Sequence, residues 1–153
     1  MDMNQIVHEI KEFPPMESGS PIPSIKEIGS NLLVSYICNN PDFPGWDSGS
    51  APDHPGFDEY CAVIKFSEIS WYHFGGPSDE KLHQHPLYDS GLTFYGFHVV
   101  ENSSKTNSNQ SHWIITFHDE TLEILARNVE VVSKRVDTSS PEEAISMISE
   151  QLN

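Results

Sequence analysis

The stretch "HWIITFHDETLEILA", His112 to Ala126, leaves little choice of local structure. Trp113, Ile115 and Phe117 alternate with their neighbours up to a polar turn, His118-Asp119-Glu120-Thr121, and Leu122, Ile124 and Ala126 alternate back. A period of two on both arms places one apolar row on each strand and pairs the strands as a hairpin. "YCAVIKF" repeats the pattern, with Tyr60, Ala62, Ile64 and Phe66 facing one way and Cys61, Val63 and Lys65 the other.

Other segments extend this pattern. "SIKEIGSNLLVSYICNN" reads as a hairpin about Gly29 and Ser30, because Ile25, Ile28, Leu32 to Val34, Tyr36 and Ile37 are strand formers. "ISWYHFGG" is extended, "NVEVVSKRV" adds a strand, and "LTFYGFHVVE" predicts a strand with Phe94, Gly96, His98 and Val100 on one face. In residues 1–13, Ile6, Val7, Ile10 and Phe13 have helix-like spacing until Pro14 and Pro15. Ser78-Asp79-Glu80 opens one helical turn, Asp79 to His83, before Pro86. The C-terminal helix is the clearest: Ser140 caps it, Pro141 takes the first position, Glu143 stands at capping-box spacing, and Ala144, Ile145, Ile148 and Leu152 form its apolar stripe with Met147 beside it.

Strands first and one helix last imply an α+β domain, mainly antiparallel, with about six or seven strands in a curved or sandwich-like sheet. The 153 residues suit a single domain spanning 1–153. Residues 39–59, "NNPDFPGWDSGSAPDHPGFDE", hold four prolines and three glycines, which deny a regular ladder; this long loop serves either as packed cover or as a binding lid.

Charge restricts the partners. With 23 Asp and Glu against 8 Lys and Arg, the formal charge of −15 argues against nucleic acid and anionic membranes and favours a basic protein or cationic ligand. "MDMNQIVHEIKEF" has no signal-peptide pattern and no apolar run approaches membrane-spanning length, so a cytoplasmic location is expected. Cys38 and Cys61 are then reduced, partly buried thiols in apolar strands that raise a thiol pKa rather than activate it.

Five histidines fall between residues 83 and 118. His83 and His85 in an extended segment would point the same way, about 7 Å apart, close enough to share one ion at about 2.1 Å. A zinc-like site would combine His83, His85 and one of His98 or His118, with Asp119 or Glu101 supplying oxygen. His112 and His118 lie about 20 Å apart on one strand and cannot both join. The competing interpretation of His-x-His, followed here by Pro86, Leu87 and Tyr88, is one packed ring and one solvated ring. No G-x-S-x-G elbow or glycine-rich phosphate loop is present.

"FGGPSDEKLHQHPLY", "GLTFYGFHVVENSS" and "WIITFHDETLEILA" together resemble a group of small bacterial proteins of unknown function, across roughly residues 62 to 126. The group's succession is G-x-P-x-D-E, H-P-L-Y, G-L-x-x-Y, E-x-x-N-S and F-H-D-x-T-x-E, and in this chain Asn102 and Ser103 follow Glu101 directly. The resemblance implies that Gly76, Pro77, Asp79, Glu80, His85, Pro86, Tyr88, Tyr95, Asn102, Ser103, His118, Asp119 and Glu123 form one matched set, and His83 lies outside it.

The expected site is a concavity between the 75 to 88 loop, the 118 to 121 turn and the 41 to 58 loop. Its polar members are His85, His118, Asp119, Asp79 and Glu80, with Tyr88 and Tyr95 as walls. Two functions compete. One is a non-catalytic acidic interaction protein without a cofactor, engaging a basic partner in the manner of an immunity protein. The other is a metal-assisted hydrolase using His85 with His83 or His118 and Asp119 as base.

Overall fold

The computed structural model describes residues 5–14, 16, 23–38, 60–106, 109–138 and 140–152. The 39–59 loop therefore lies outside the described residues. In chain order the strands are β1 (Ile6–Ile10), β2 (Ser24–Ile28), β3 (Asn31–Cys38), β4 (Tyr60–Ser67), β5 (Trp71–Gly75), β6 (Phe97–Glu101), β7 (Ser111–Thr116), β8 (Thr121–Ala126) and β9 (Asn128–Val136). The helix α1 (Pro141–Leu152) follows, and short 3-10 turns at Asp79–Gln84 and Tyr88–Ser90 lie between β5 and β6.

Two antiparallel sheets result, ordered β1-β6-β7-β8-β5 and β2-β3-β4-β9. Their apolar rows face each other. Leu32, Val34, Tyr36, Ala62, Ile64 and Phe66 from the smaller sheet meet Phe97, Trp113, Ile115, Leu122 and Ile124 from the larger. These are the rows that the period of two marks out, and interdigitation between sheets makes the fold a β-sandwich. Each sheet also buries part of its other face. Leu33, Ile37, Cys61 and Val63 of the smaller sheet pack under Ala144, Ile145 and Ile148 of α1. Glu143 N–H donates to Ser140 Oγ (3.2 Å), the cap expected there.

Part of the outer face of the larger sheet is covered by irregular chain, while Trp71 and His73 of β5 are exposed. Leu82, Leu87 and Leu92, all buried, press on Val7, Val100 and Ile114. Leu82 is 1% exposed, so its burial stabilises the cover by roughly 1.5–3 kcal/mol. Gly91 lets the cover come this close: its φ is +129°, and a Cβ there would stand 2.4 Å from the Val7 carbonyl oxygen. The molecule thus has four layers, helix, sheet, sheet and cover, and the cover positions the polar groups described below.

Three expectations need correction. There are nine strands among the described residues rather than six or seven. The N-terminal segment is strand β1, not a helix, because pairing Ile6 to Ile10 with Glu101 to Phe97 satisfies its backbone along a whole ladder. Five residues with two adjacent apolar positions also fit either period. The strand expected from Leu92 begins only at Phe97; Tyr95 has φ +54°, which turns the chain and leaves Phe94 48% exposed.

Candidate functional site

The hairpin register places a polar group beneath the cover. Glu123 of β8 lies opposite Ile114 of β7 on one side and His73 of β5 on the other, on the face away from the sandwich core. Its carboxylate holds two imidazoles: His85 Nε2 at 2.9 Å from Oε2 and His112 Nε2 at 2.9 Å from Oε1. The Leu87 N–H donates to His85 Nδ1 (3.0 Å), so that nitrogen is unprotonated and the ring gives its single hydrogen to Glu123. His112 Nδ1 meets Ser103 Oγ at 2.8 Å, and Ser103 Oγ also accepts the Lys105 N–H. All of these bonds are satisfied with both rings neutral.

Burial pushes the Glu123 carboxyl upward, but the hydrogen bonds from His112 and His85, together with the Lys105 charge, outweigh it and hold the group well below the usual carboxylate range. Glu123 is therefore ionised, and its side chain retains 14% exposure. That exposure opens on a cleft of about 400 Å³ lined by His73, Gly76, Pro77, Lys81, Gln84, His85, Pro86 and Glu123.

A second cluster occupies the end of the β7–β8 hairpin. Asp79 Oδ2 accepts both the Tyr95 hydroxyl and His118 Nδ1, the latter at 2.8 Å. The backbone reinforces the contact, since the Asp79 N–H donates to the His118 carbonyl (3.0 Å). The Tyr95 hydroxyl, aided by His118, holds the Asp79 carboxyl below its ordinary value, and the same hydrogen bond raises the Tyr95 phenol. His118 Nε2 faces outward, 3.8 Å from Asp119 Oδ1. An aromatic run continues from this point: His118 to Tyr95 (6.2 Å between centroids), Tyr95 to Phe94 (6.2 Å) and Phe94 to Tyr88 (6.5 Å).

The expected site residues are thus divided. Asp79, Tyr95 and His118 are joined by hydrogen bonds; Tyr88 extends their aromatic edge, and Glu80 and Asp119 are exposed beside it. His85 belongs to the Glu123 cluster instead. The proposed zinc set of His83, His85 and His118 is not assembled: His83 is exposed, His85 is bound to Glu123 and His118 to Asp79. His98, the other candidate ligand, is buried, with Nδ1 on the Ile114 carbonyl and Nε2 on Thr93. Among the described residues no group of three or more His, Cys, Asp or Glu is placed to hold a metal ion. The thiols of Cys38 and Cys61 are buried, and burial, with Cys61 nearby, pushes Cys38 up to about 12.

Sequence reasoning did not single out Glu123 as a site residue, although the resemblance included it with Ser103. Strand parity could have found it. If Leu122 and Ile124 face the core, Glu123 faces the opposite side, and the turn at 118 to 121 fixes its register with Ile114. His73 and Lys81 carried no comparable signal.

No protein-family model, no curated protein and no solved structure matches the chain. Among the described residues no helix is long and apolar enough to cross a membrane.

Proposed function

We propose that this chain is a non-catalytic interaction protein that receives a basic protein partner on the patch formed by Tyr88, Phe94, Tyr95, His118, Asp79, Glu80 and Asp119. The observation that carries this is the aromatic run ending among carboxylates, with Phe94 and His118 exposed and Tyr88 and Tyr95 half-buried. Phe94 is 48% exposed although it is a large apolar group, and at the His118 end of the run the Asp119 side chain is 56% exposed. Aromatic anchors rimmed by charge are the composition of protein-binding surfaces. The formal charge of −15 would draw a basic partner toward this surface and speed encounter.

The Glu123 cluster supports the same reading. Each ring nitrogen of His85 and of His112 already has a hydrogen-bond partner, so neither offers a free base. His118 makes its hydrogen bond to Asp79, and among the described residues no hydroxyl or thiol is bonded to it for activation. A cytoplasmic setting, the resemblance to small bacterial proteins and the immunity-protein analogy belong to this proposal.

Affinity capture on the immobilised chain tests it. Captured proteins should be basic and should be released between about 0.05 and 0.5 M salt, as screening shortens the reach of exposed charges. Phe94→Ser should weaken capture about 30-fold, the loss expected of an aromatic hot spot worth about 2 kcal/mol. Captures that are neutral or acidic, that resist salt, or that ignore Phe94→Ser would overturn the proposal.

A further inference from the structure

The cleft beside Glu123 shares no lining residue with the aromatic patch and carries its own chemistry. Its floor is a carboxylate with partners that are satisfied as neutral imidazoles, so its negative charge needs no neutralisation by them. Each carboxylate oxygen holds one N–H and has a further acceptor direction, and part of the group opens on the cleft. The wall carries Lys81 and Gln84 from the Asp79–Gln84 turn. Lys81 makes no ion pair with Glu123 or with any other group among the described residues, so cation and anion line one cleft without being joined.

An amine-only ligand would satisfy Glu123 but meet Lys81, and an anion-only ligand would meet Glu123. A molecule carrying both charges a few bonds apart satisfies both, with the Gln84 amide available to its carboxylate. A cleft of about 400 Å³ is at the small end of ligand sites and suits a molecule of amino-acid size. Pro77 and Pro86 offer apolar surface to a side chain. We propose that the cleft lined by Glu123, Lys81, Gln84 and His73 binds a free α-amino acid, its ammonium on Glu123 and its carboxylate on Lys81.

Amide NMR titration of the full chain provides the test, using the common L-amino acids singly, their carboxamides, which lack the carboxylate, and their N-acetyl forms, which lack the ammonium. Saturable shifts at Gly76, Lys81 and Gln84 are expected for at least one amino acid, with both derivatives at least about tenfold weaker, or 1.4 kcal/mol. Lys81→Ala should remove the preference for the amino acid over its carboxamide. Lys81 is exposed, so this variant keeps the fold even if Glu123→Gln does not. The absence of saturable shifts for every amino acid at about 10 mM, a range that would detect affinities weaker than millimolar, overturns the proposal. A carboxamide that binds as well as its amino acid overturns it too, since the cleft would then read a cation alone.

Discussion

At the scale of the residue, Glu123 joins three parts of the chain that are distant in sequence. His85 is 38 positions away and His112 is 11, and Ser103 and Leu87 complete the rings. Glu123→Gln keeps the shape but removes the charge, and its NH₂ meets an imidazole N–H unless the His112 ring changes tautomer. We expect a loss on the order of 2–3 kcal/mol, seen as a lower urea midpoint with an unchanged slope; a midpoint like that of the parent would show that the carboxylate is not needed as an acceptor. The pH dependence has a definite sign. Because the folded pKa is depressed, the stabilisation is complete above the unfolded value of about 4.3 and declines as pH falls below it. That part of the acid sensitivity should disappear in Glu123→Gln.

At the scale of the element, the cover from Gly76 to Leu92 has only short 3-10 turns of its own and depends on docking to the sheet. Leu82, Leu87 and Leu92 supply its apolar contacts, while His85 supplies the polar one through Glu123 and caps the Leu87 amide. His85→Ala should therefore speed hydrogen exchange at Leu87, Tyr88 and Gly91 while leaving Ile114 and Ile124 as protected as before. Equal protection throughout the cover would mean that the leucines alone hold it. "HQHPLY" was legible only in part: a packed ring at residue 85 and a solvated one at 83 suit the pattern, but nothing local names Glu123 as the partner. Residues 92 to 96 were misleading because their aromatics have strand propensity, whereas the bonds of Thr116 Oγ1 with the Thr93 carbonyl and the Gly96 N–H hold them in a turn.

At the scale of the whole molecule, the excess of carboxylates opposes compactness through self-repulsion. Raising sodium chloride from about 0.05 to 0.5 M should raise the urea midpoint as the charges are screened, and a midpoint that falls would show that attractive pairs dominate. The period-two rows, the hairpin at 118 to 121, the capped C-terminal helix and the net charge were all set by local sequence, because each depends on neighbours a few residues away or on composition alone. Tertiary structure alone decided that β1 is a strand, that the cover lies on the larger sheet, and that His85 faces Glu123 while His118 faces Asp79. Strand period tells which face a side chain takes but not which distant segment will cover that face, and a contact spanning 38 residues is selected only when the complete sandwich has formed.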